Sequence, residues 1–369
     1  MPANTYDPAY DTVGRDDFGA MIELERYGRR STRFDELIAR TEEHFWEPND
    51  PDYIDYGQPW NMNEQPLMPL DFFVELNSSV GDRLDEGQKI RFANESLRFS
   101  LSQILHGEQG AFSLSTSLCD IFYDPAAQEY AANQAREEAR HVRGFSRYMQ
   151  ARYGGALLPV GDTLGGLLKE IIASDAVYKK IVGMQVLVEG LAMGAFATFH
   201  VRSSDPLLRR VCQLTMTDEA FHHRFGKIWA QLTMPNLETR EHEMVEDWAA
   251  ECFNRLFYNL TNADQKRLIY PQFGLDVEWV RGAVAEAFTD RDRRRLLRQS
   301  TNIFRVLIKT LLHAGVITER TRARYADWVD MDELAAEGDR MVGDDIAEAG
   351  IASLREINAG KRRLVRKLA

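Results

Sequence analysis

From about Arg83 to the C-terminus, apolar side chains recur at three- and four-residue spacing, and no convincing stretch alternates apolar and polar positions as a strand would. The pattern predicts an all-α protein. Long helices are expected near 86–122, 127–152, 175–202 and 206–233, with others near 238–261, 277–288, 290–315, 319–328 and 331–358 and breaks at Gly274, Gly315 and Gly338. Between the second and third long helices, Gly154, Gly155, Pro159, Gly161, Gly165 and Gly166 mark a crossover with a short helix, long enough to run the length of a bundle. The first 80 or so residues read differently. Some helix is expected from Arg15 to His44, then prolines at 48, 51 and 59 exclude a long one. That turn-rich stretch holds Phe45, Trp46, Tyr53, Tyr56, Trp60, Phe72 and Phe73, too aromatic for a disordered tail, so it should wrap the helices. Three parts follow: an N-terminal extension over 1–85, a helical core over 86–233 and a C-terminal helical region over 234–369.

The informative positions are the polar ones that interrupt the apolar helices. Between Glu95 and Asp120 the only acidic residue is Glu108, and between Asp175 and Asp205 it is Glu189. The second and fourth helices carry Glu138-Ala139-Arg140-His141 and Glu219-Ala220-Phe221-His222, the only Glu-x-x-His runs in the chain. Residues three apart on a helix share a face, so each pair can close on one point. Turn signals at Tyr123-Asp124-Pro125 and Ser203-Ser204-Asp205-Pro206 make two hairpins. Glu108 lies sixteen residues before Asp124, with Glu138 and His141 fourteen and seventeen after it; Glu189 lies fifteen before Ser204, with Glu219 and His222 fifteen and eighteen after it. Antiparallel packing therefore brings four carboxylates and two imidazoles to one level, a donor set suited to a transition metal. His106, His200 and His223 fall off that angle.

The order Glu, Glu-x-x-His, Glu, Glu-x-x-His over residues 88–232 resembles the ferritin-like di-iron carboxylate superfamily. Glu137-Glu138-Ala139-Arg140-His141 is similar to the form in bacterial multicomponent monooxygenases and acyl-carrier-protein desaturases. Val188-Glu189-Gly190 and Asp218-Glu219-Ala220 resemble the ribonucleotide reductase small subunit. The resemblance implies a ferritin-like four-helix bundle holding two iron ions (Fe2+/Fe3+), with Mn/Fe as the alternative pair. Glu108 and Glu189 would be single-helix ligands, Glu138 and Glu219 bridges, and His141 and His222 would bind one metal each; the four glutamates are the candidate catalytic residues. Asp218 and Glu137 could accept from the outer nitrogens of the histidines, with Arg140 between them. Helical spacing places Leu105, Phe112, Phe145, Met193, Phe196 and Thr215 around the ligands, as a core or an apolar substrate pocket would need. Gly107, Gly110, Gly183, Gly190 and Gly194 suggest close approach of the first and third helices.

The implied activity is that of a di-iron oxygenase or oxidase. It would take dioxygen as co-substrate, a small and largely apolar organic molecule, and electrons from a ferredoxin or reductase. Departures matter here. Ribonucleotide reductase small subunits carry a radical tyrosine where this chain has Phe145, and Tyr148 is the nearest substitute on that face. Monooxygenases have a threonine at the place of Met193, and the p-aminobenzoate N-oxygenases an extra ligand histidine at the place of Thr215. A ferroxidase or iron-handling protein, a Mn/Fe oxidase and a non-catalytic helical subunit stay open as alternatives.

Charge and composition narrow the partners. A net charge of −12 disfavours nucleic acid, despite the basic cluster Lys361, Arg362, Arg363, Arg366 and Lys367, which is expected to be solvated. The apolar run Ile181 to Phe199 approaches membrane-spanning length, yet its single charge, Glu189, matches Glu219 in depth, so a buried core helix is expected rather than a membrane span. Cys119, Cys212 and Cys252 show no metal or disulfide spacing, and Met1 to Asp7 carries no secretion-signal character, both consistent with a cytoplasmic protein. A homodimer is the expected assembly.

Overall fold

Three of the four long helices begin where an aspartate caps them. Asp85 accepts from Gln88 N while Gln88 bonds back to Asp85 N, a capping box that opens Glu86–Cys119. Asp124 and Asp205 cap Pro125–Tyr153 and Pro206–Thr233, each with proline in the first turn, where its missing N–H leaves no bond unmade. Gly154, at φ 60°, closes the second of these helices in the left-handed conformation.

The computed structural model describes residues 5–261, 263–287, 303–338, 340–341 and 343–368. The larger helices are α1 (Asp35–Glu43), α2 (Glu86–Cys119), α3 (Pro125–Tyr153), α4 (Asp162–Ala173), α5 (Val177–Arg202), α6 (Pro206–Thr233), α7 (Thr239–Thr261), α8 (Val277–Ala287), α9 (Ile303–His313), α10 (Met331–Ala336) and α11 (Asp344–Leu368). Among the described residues there is no β-strand, only isolated bridges Asp7–Thr12 and Thr12–Phe122, so the protein is all-α. Helices α2 and α3 form one hairpin and α5 and α6 another, joined through α3 and α6; α4 crosses α2, α9 covers α5 and α11 covers α6.

Two apolar clusters fill this assembly and leave a polar layer between them. On α2 one cluster ends at Leu105 and the other begins at Ala111; on α3 the boundary falls between Ala131 and Phe145. On α5 it falls between Leu187 and Met193, and on α6 between Met216 and Phe221. The layer thus holds Glu108, Glu138, His141, Glu189 and Glu219, with His222 just past its edge on α6. The N-terminal segment closes one side of it, where Trp46, Tyr53, Ile54, Leu67 and Met68 are buried in the second cluster.

Several elements differ from the sequence expectation. The stretch 15–44 makes three short helices, Phe18–Met21, Leu24–Tyr27 and α1. The helix expected near 319–328 is a single 3-10 turn, Arg322–Arg324. Glu246 bonds Thr318 N at 3.0 Å and Arg320 Nε at 2.6 Å, side-chain bonds that hold the chain off a helical path. The stretch 331–358 is two helices, α10 and α11, with the expected break at Gly338, at φ 68°, and α11 runs on to Leu368. Of 290–315, Ile303–His313 is helical, and 288–302 lie outside the described residues. The glycines do not bring α2 and α5 together. A Cβ at Gly110 would meet Leu168 of α4, and at Gly194 Ile303 of α9, each at 2.9 Å. Helix α5 is mostly buried, as expected, but its stretch Val182–Val188 is a π-helix that the apolar pattern did not foretell.

Candidate metal centre

Each long helix delivers its acidic side chain to the same point. Glu108 comes from α2, Glu138 and His141 from α3, Glu189 from α5, and Glu219 and His222 from α6, all buried. His141 Nδ1 lies 3.2 Å from Glu108 Oε2, 3.3 Å from Glu138 Oε2 and 3.1 Å from Glu219 Oε1. His222 Nδ1 lies 3.2 Å from Glu138 Oε1, 3.3 Å from Glu219 Oε2 and 3.8 Å from Glu189 Oε2. Two groups result, Glu108–Glu138–His141–Glu219 and Glu138–Glu189–Glu219–His222, each with ligand atoms within 4.8 Å of one another. Glu138 and Glu219 belong to both and turn one oxygen to each histidine.

A second ring fixes the imidazoles. His141 Nε2 bonds Asp218 Oδ2 at 2.9 Å and His222 Nε2 bonds Glu137 Oε2 at 2.9 Å, which directs both Nδ1 atoms inward. Arg140 donates to Asp218 Oδ2 at 2.7 Å and stands 3.7 Å from Glu137 Oε1. Trp46 Nε1 also donates to Asp218 Oδ2, at 2.9 Å, and His44 Nε2 lies 3.2 Å from Asp218 Oδ1. His44, Glu137 and Asp218 could themselves hold a cation by distance, but the Arg140 guanidinium already supplies positive charge there. On the other side Gln134 Nε2 donates to Glu189 Oε1 at 2.8 Å, and Gln185 Nε2 donates to Gln134 Oε1 at 2.8 Å.

Sequence reasoning missed four of these contacts. Gln134 sits one turn before Glu138 on a regular helix, so spacing could have found it, whereas Gln185 lies in the π-helical stretch before Glu189, where α-helical spacing does not apply. His44 and Trp46 lie in an irregular segment without periodicity. Of the histidines set aside, His106 bonds Leu158 O, His200 bonds Arg209 O and His223 bonds Thr310 Oγ1.

The electrostatics show how burial and the crowded carboxylates act on the donor set. Burial lifts the Glu108 carboxyl from 4.5 to about 8. Burial, the Glu219 charge and a hydrogen bond to Glu219 lift Glu189 well above the carboxylate range. Burial would lower both histidines, yet the surrounding carboxylates outweigh it and raise each well above its ordinary value. Burial alone would raise Glu138 and Glu219 as well, but contacts with His141 and His222 hold both below their usual range, for Glu219 together with the Glu189 hydrogen bond. Asp218 is held well below by Arg140 and its histidine contacts against the effect of burial. With protons as the only cations, the six side chains reach neutrality with two carboxylates and two imidazoles protonated. Two divalent ions would balance four carboxylates equally well, with neutral imidazole and carboxylate as donors. That chemistry fits Fe(II) or Mn(II).

The residues expected to line a pocket divide. Leu105, Phe145, Met193 and Phe196 pack in one apolar cluster, with the Phe145 and Phe196 rings stacked at 5.4 Å. Thr215 is buried and its Oγ1 has no protein partner, while Phe112 is half-buried. Tyr148 donates to Asp205 Oδ2 at 2.9 Å and faces Arg152 rather than the carboxylates. Tyr130 is the buried tyrosine coupled electrostatically to His222, Glu137, Glu189 and Glu219. In the basic cluster Lys361 is half-buried, pairs with Asp50 and lies 2.9 Å from Asp52; the side chains of 362–368 lie outside the described residues. No protein-family model matches the chain, and no curated protein matches it.

Proposed function

We propose that the chain is a di-iron oxidoreductase of ferritin-like type that activates dioxygen to oxidise a small, largely apolar organic molecule. One observation carries this reading: two buried Glu/His groups share Glu138 and Glu219, each of which offers one oxygen to either side. Glu108 and His141 would complete one metal position, and Glu189 and His222 the other. Iron held there would supply the electrons that reduce dioxygen, to be replaced by an external donor such as a ferredoxin or reductase.

The chain's own residues do the rest. Asp218 and Glu137 hold the protons of the outer histidine nitrogens, so that both Nδ1 atoms stay available. The apolar clusters above and below exclude water from the layer. Phe145, Phe196, Met193 and Leu105 offer an apolar wall on the side where a carbon-rich substrate would be oxidised. Thr215 Oγ1, one turn before Glu219, is a hydroxyl without a protein partner that can bond a polar atom of that substrate.

The reading is tested by loading the metal-free protein with Fe(II) under anaerobic conditions, counting bound iron, and following oxygen uptake with a chemical reductant and small apolar substrates. About two irons per chain, oxygen uptake and an oxidised product by mass spectrometry are expected. Iron uptake far beyond two per chain, with mineral formed, would identify an iron-handling protein instead. Tight binding of manganese beside iron would favour the Mn/Fe pair, and no metal at all would leave a helical subunit without this chemistry.

A further inference from the structure

Glu108 and Glu189 occupy equivalent positions in the two hairpins, yet their surroundings differ. Glu189 Oε1 accepts from Gln134 Nε2 at 2.8 Å, and Gln134 Oε1 accepts from Gln185 Nε2 at 2.8 Å. Both glutamines are fully buried, so neither amide can trade its partner for bulk water. The row has a direction: every N–H points toward the carboxylate and every oxygen away from it. Gln185 Oε1, at the far end, is buried without a protein partner, and Gln185 borders a narrow cleft that Thr310, His223 and Lys227 also line. Among the described residues no amide reaches Glu108, whose hydrogen bond is to His141.

The backbone is built to aim this row. Gln185 lies inside the π-helical stretch Val182–Val188, which turns it out of the register an α-helix would impose. Helix α6 approaches that stretch through Gly226, where a Cβ would stand 2.6 Å from Gln185 Cβ and 2.7 Å from Gln185 O. A rare turn, a required glycine and two buried amides thus converge on the His222 side, closely on Glu189 Oε1 and at 3.4 Å on Glu138 Oε1, the Glu138 oxygen that faces His222.

We propose that Gln134 and Gln185 are positioning residues that occupy Glu189 Oε1, leave Oε2 for the metal, and so define the metal position on the His222 side more tightly than the one on the His141 side. The inference rests on the metal-centre reading above. Glu189 then binds through one oxygen, whereas Glu108 is free to present one or both. The two positions are unequal, and the inequality is set by side chains that touch no metal.

The test is a Mn(II) titration of the metal-free protein followed by electron paramagnetic resonance of the free ion, with thermal unfolding recorded on each metal-free variant. Backgrounds that retain one position each, His141→Ala and His222→Ala, separate the two sides. Gln134→Met keeps the side-chain length and removes the amide, on a regular part of α3. In the His141→Ala background it should weaken the remaining position about 10–100-fold, the usual loss when an outer partner is removed. In the His222→Ala background it should leave affinity unchanged. Adding Gln185→Met to Gln134→Met should weaken binding no further, because Gln185 acts only through the Gln134 amide; additive losses would overturn its role as a positioning residue. Equal losses on both sides, or none on the His222 side, would overturn the inference. Failure of the unmutated protein to bind Mn(II) or Fe(II) would instead overturn the metal centre itself.

Discussion

At the level of single residues, the two bridging candidates and the two terminal ones should behave differently. Glu138 and Glu219 belong to both groups, so Glu219→Ala should lose both metals, while His141→Ala should keep about one per chain. Metal analysis of the purified variants checks this, and equal losses would undo the pairing. Asp218 sets up a harsher case. It bonds His141 Nε2, Arg140 and Trp46 together, so Asp218→Ala leaves a buried guanidinium with only its longer contact to Glu137, and should cost roughly 3–5 kcal/mol, read by denaturant unfolding of the metal-free protein. Acidity gives a further test. Glu108 has a folded value of about 8 against an ordinary 4.5, so the stability tied to its protonated form is full below 4.5 and is lost as pH rises through about 8. Glu138, Glu219 and Asp218 lie below their usual range and matter only in acid, outside that window. The metal-free protein should therefore melt lower at pH 9 than at pH 6. Metal should restore the difference, since a ligated carboxylate no longer ionises against burial, and its binding should release about four protons and tighten with pH. A metal-free melting temperature flat across that range would contradict the assignment.

At the level of elements, the long helices were legible because three begin with an aspartate cap and carry clean apolar stripes. The six ligand candidates could be read because each interrupts an apolar helix at matched depth. What was not legible had no period to reveal it. The π-helix in α5 lies where α6, α7 and α9 pack on it, contacts remote in sequence, and the lost helix near 319–328 depends on Glu246, more than seventy residues away. Gly226 marks the first of these. Gly226→Ala would drive a methyl into the Gln185 backbone, so it should lower the melting temperature by several degrees and displace Gln185. A stable, unshifted variant, checked by melting and a crystal structure, would show that the π-turn has room to spare.

Across the whole molecule, the layer between the two apolar clusters organises everything else. The N-terminal segment was expected only to wrap the helices, but it also sends Trp46 and His44 to Asp218. Those contacts join sequence positions about 170 apart, a separation at which local pattern carries no information. The extension is thus part of the centre's outer ring. The most direct measurement is a crystal structure of the iron-loaded protein with anomalous data collected above and below the iron edge. The account predicts two peaks per chain, roughly 3.5–4 Å apart, one beside Glu108 and His141 and the other beside Glu189 and His222, with Glu138 and Glu219 between them. No anomalous peak in this layer, or a single one among His44, Glu137 and Asp218, would contradict it.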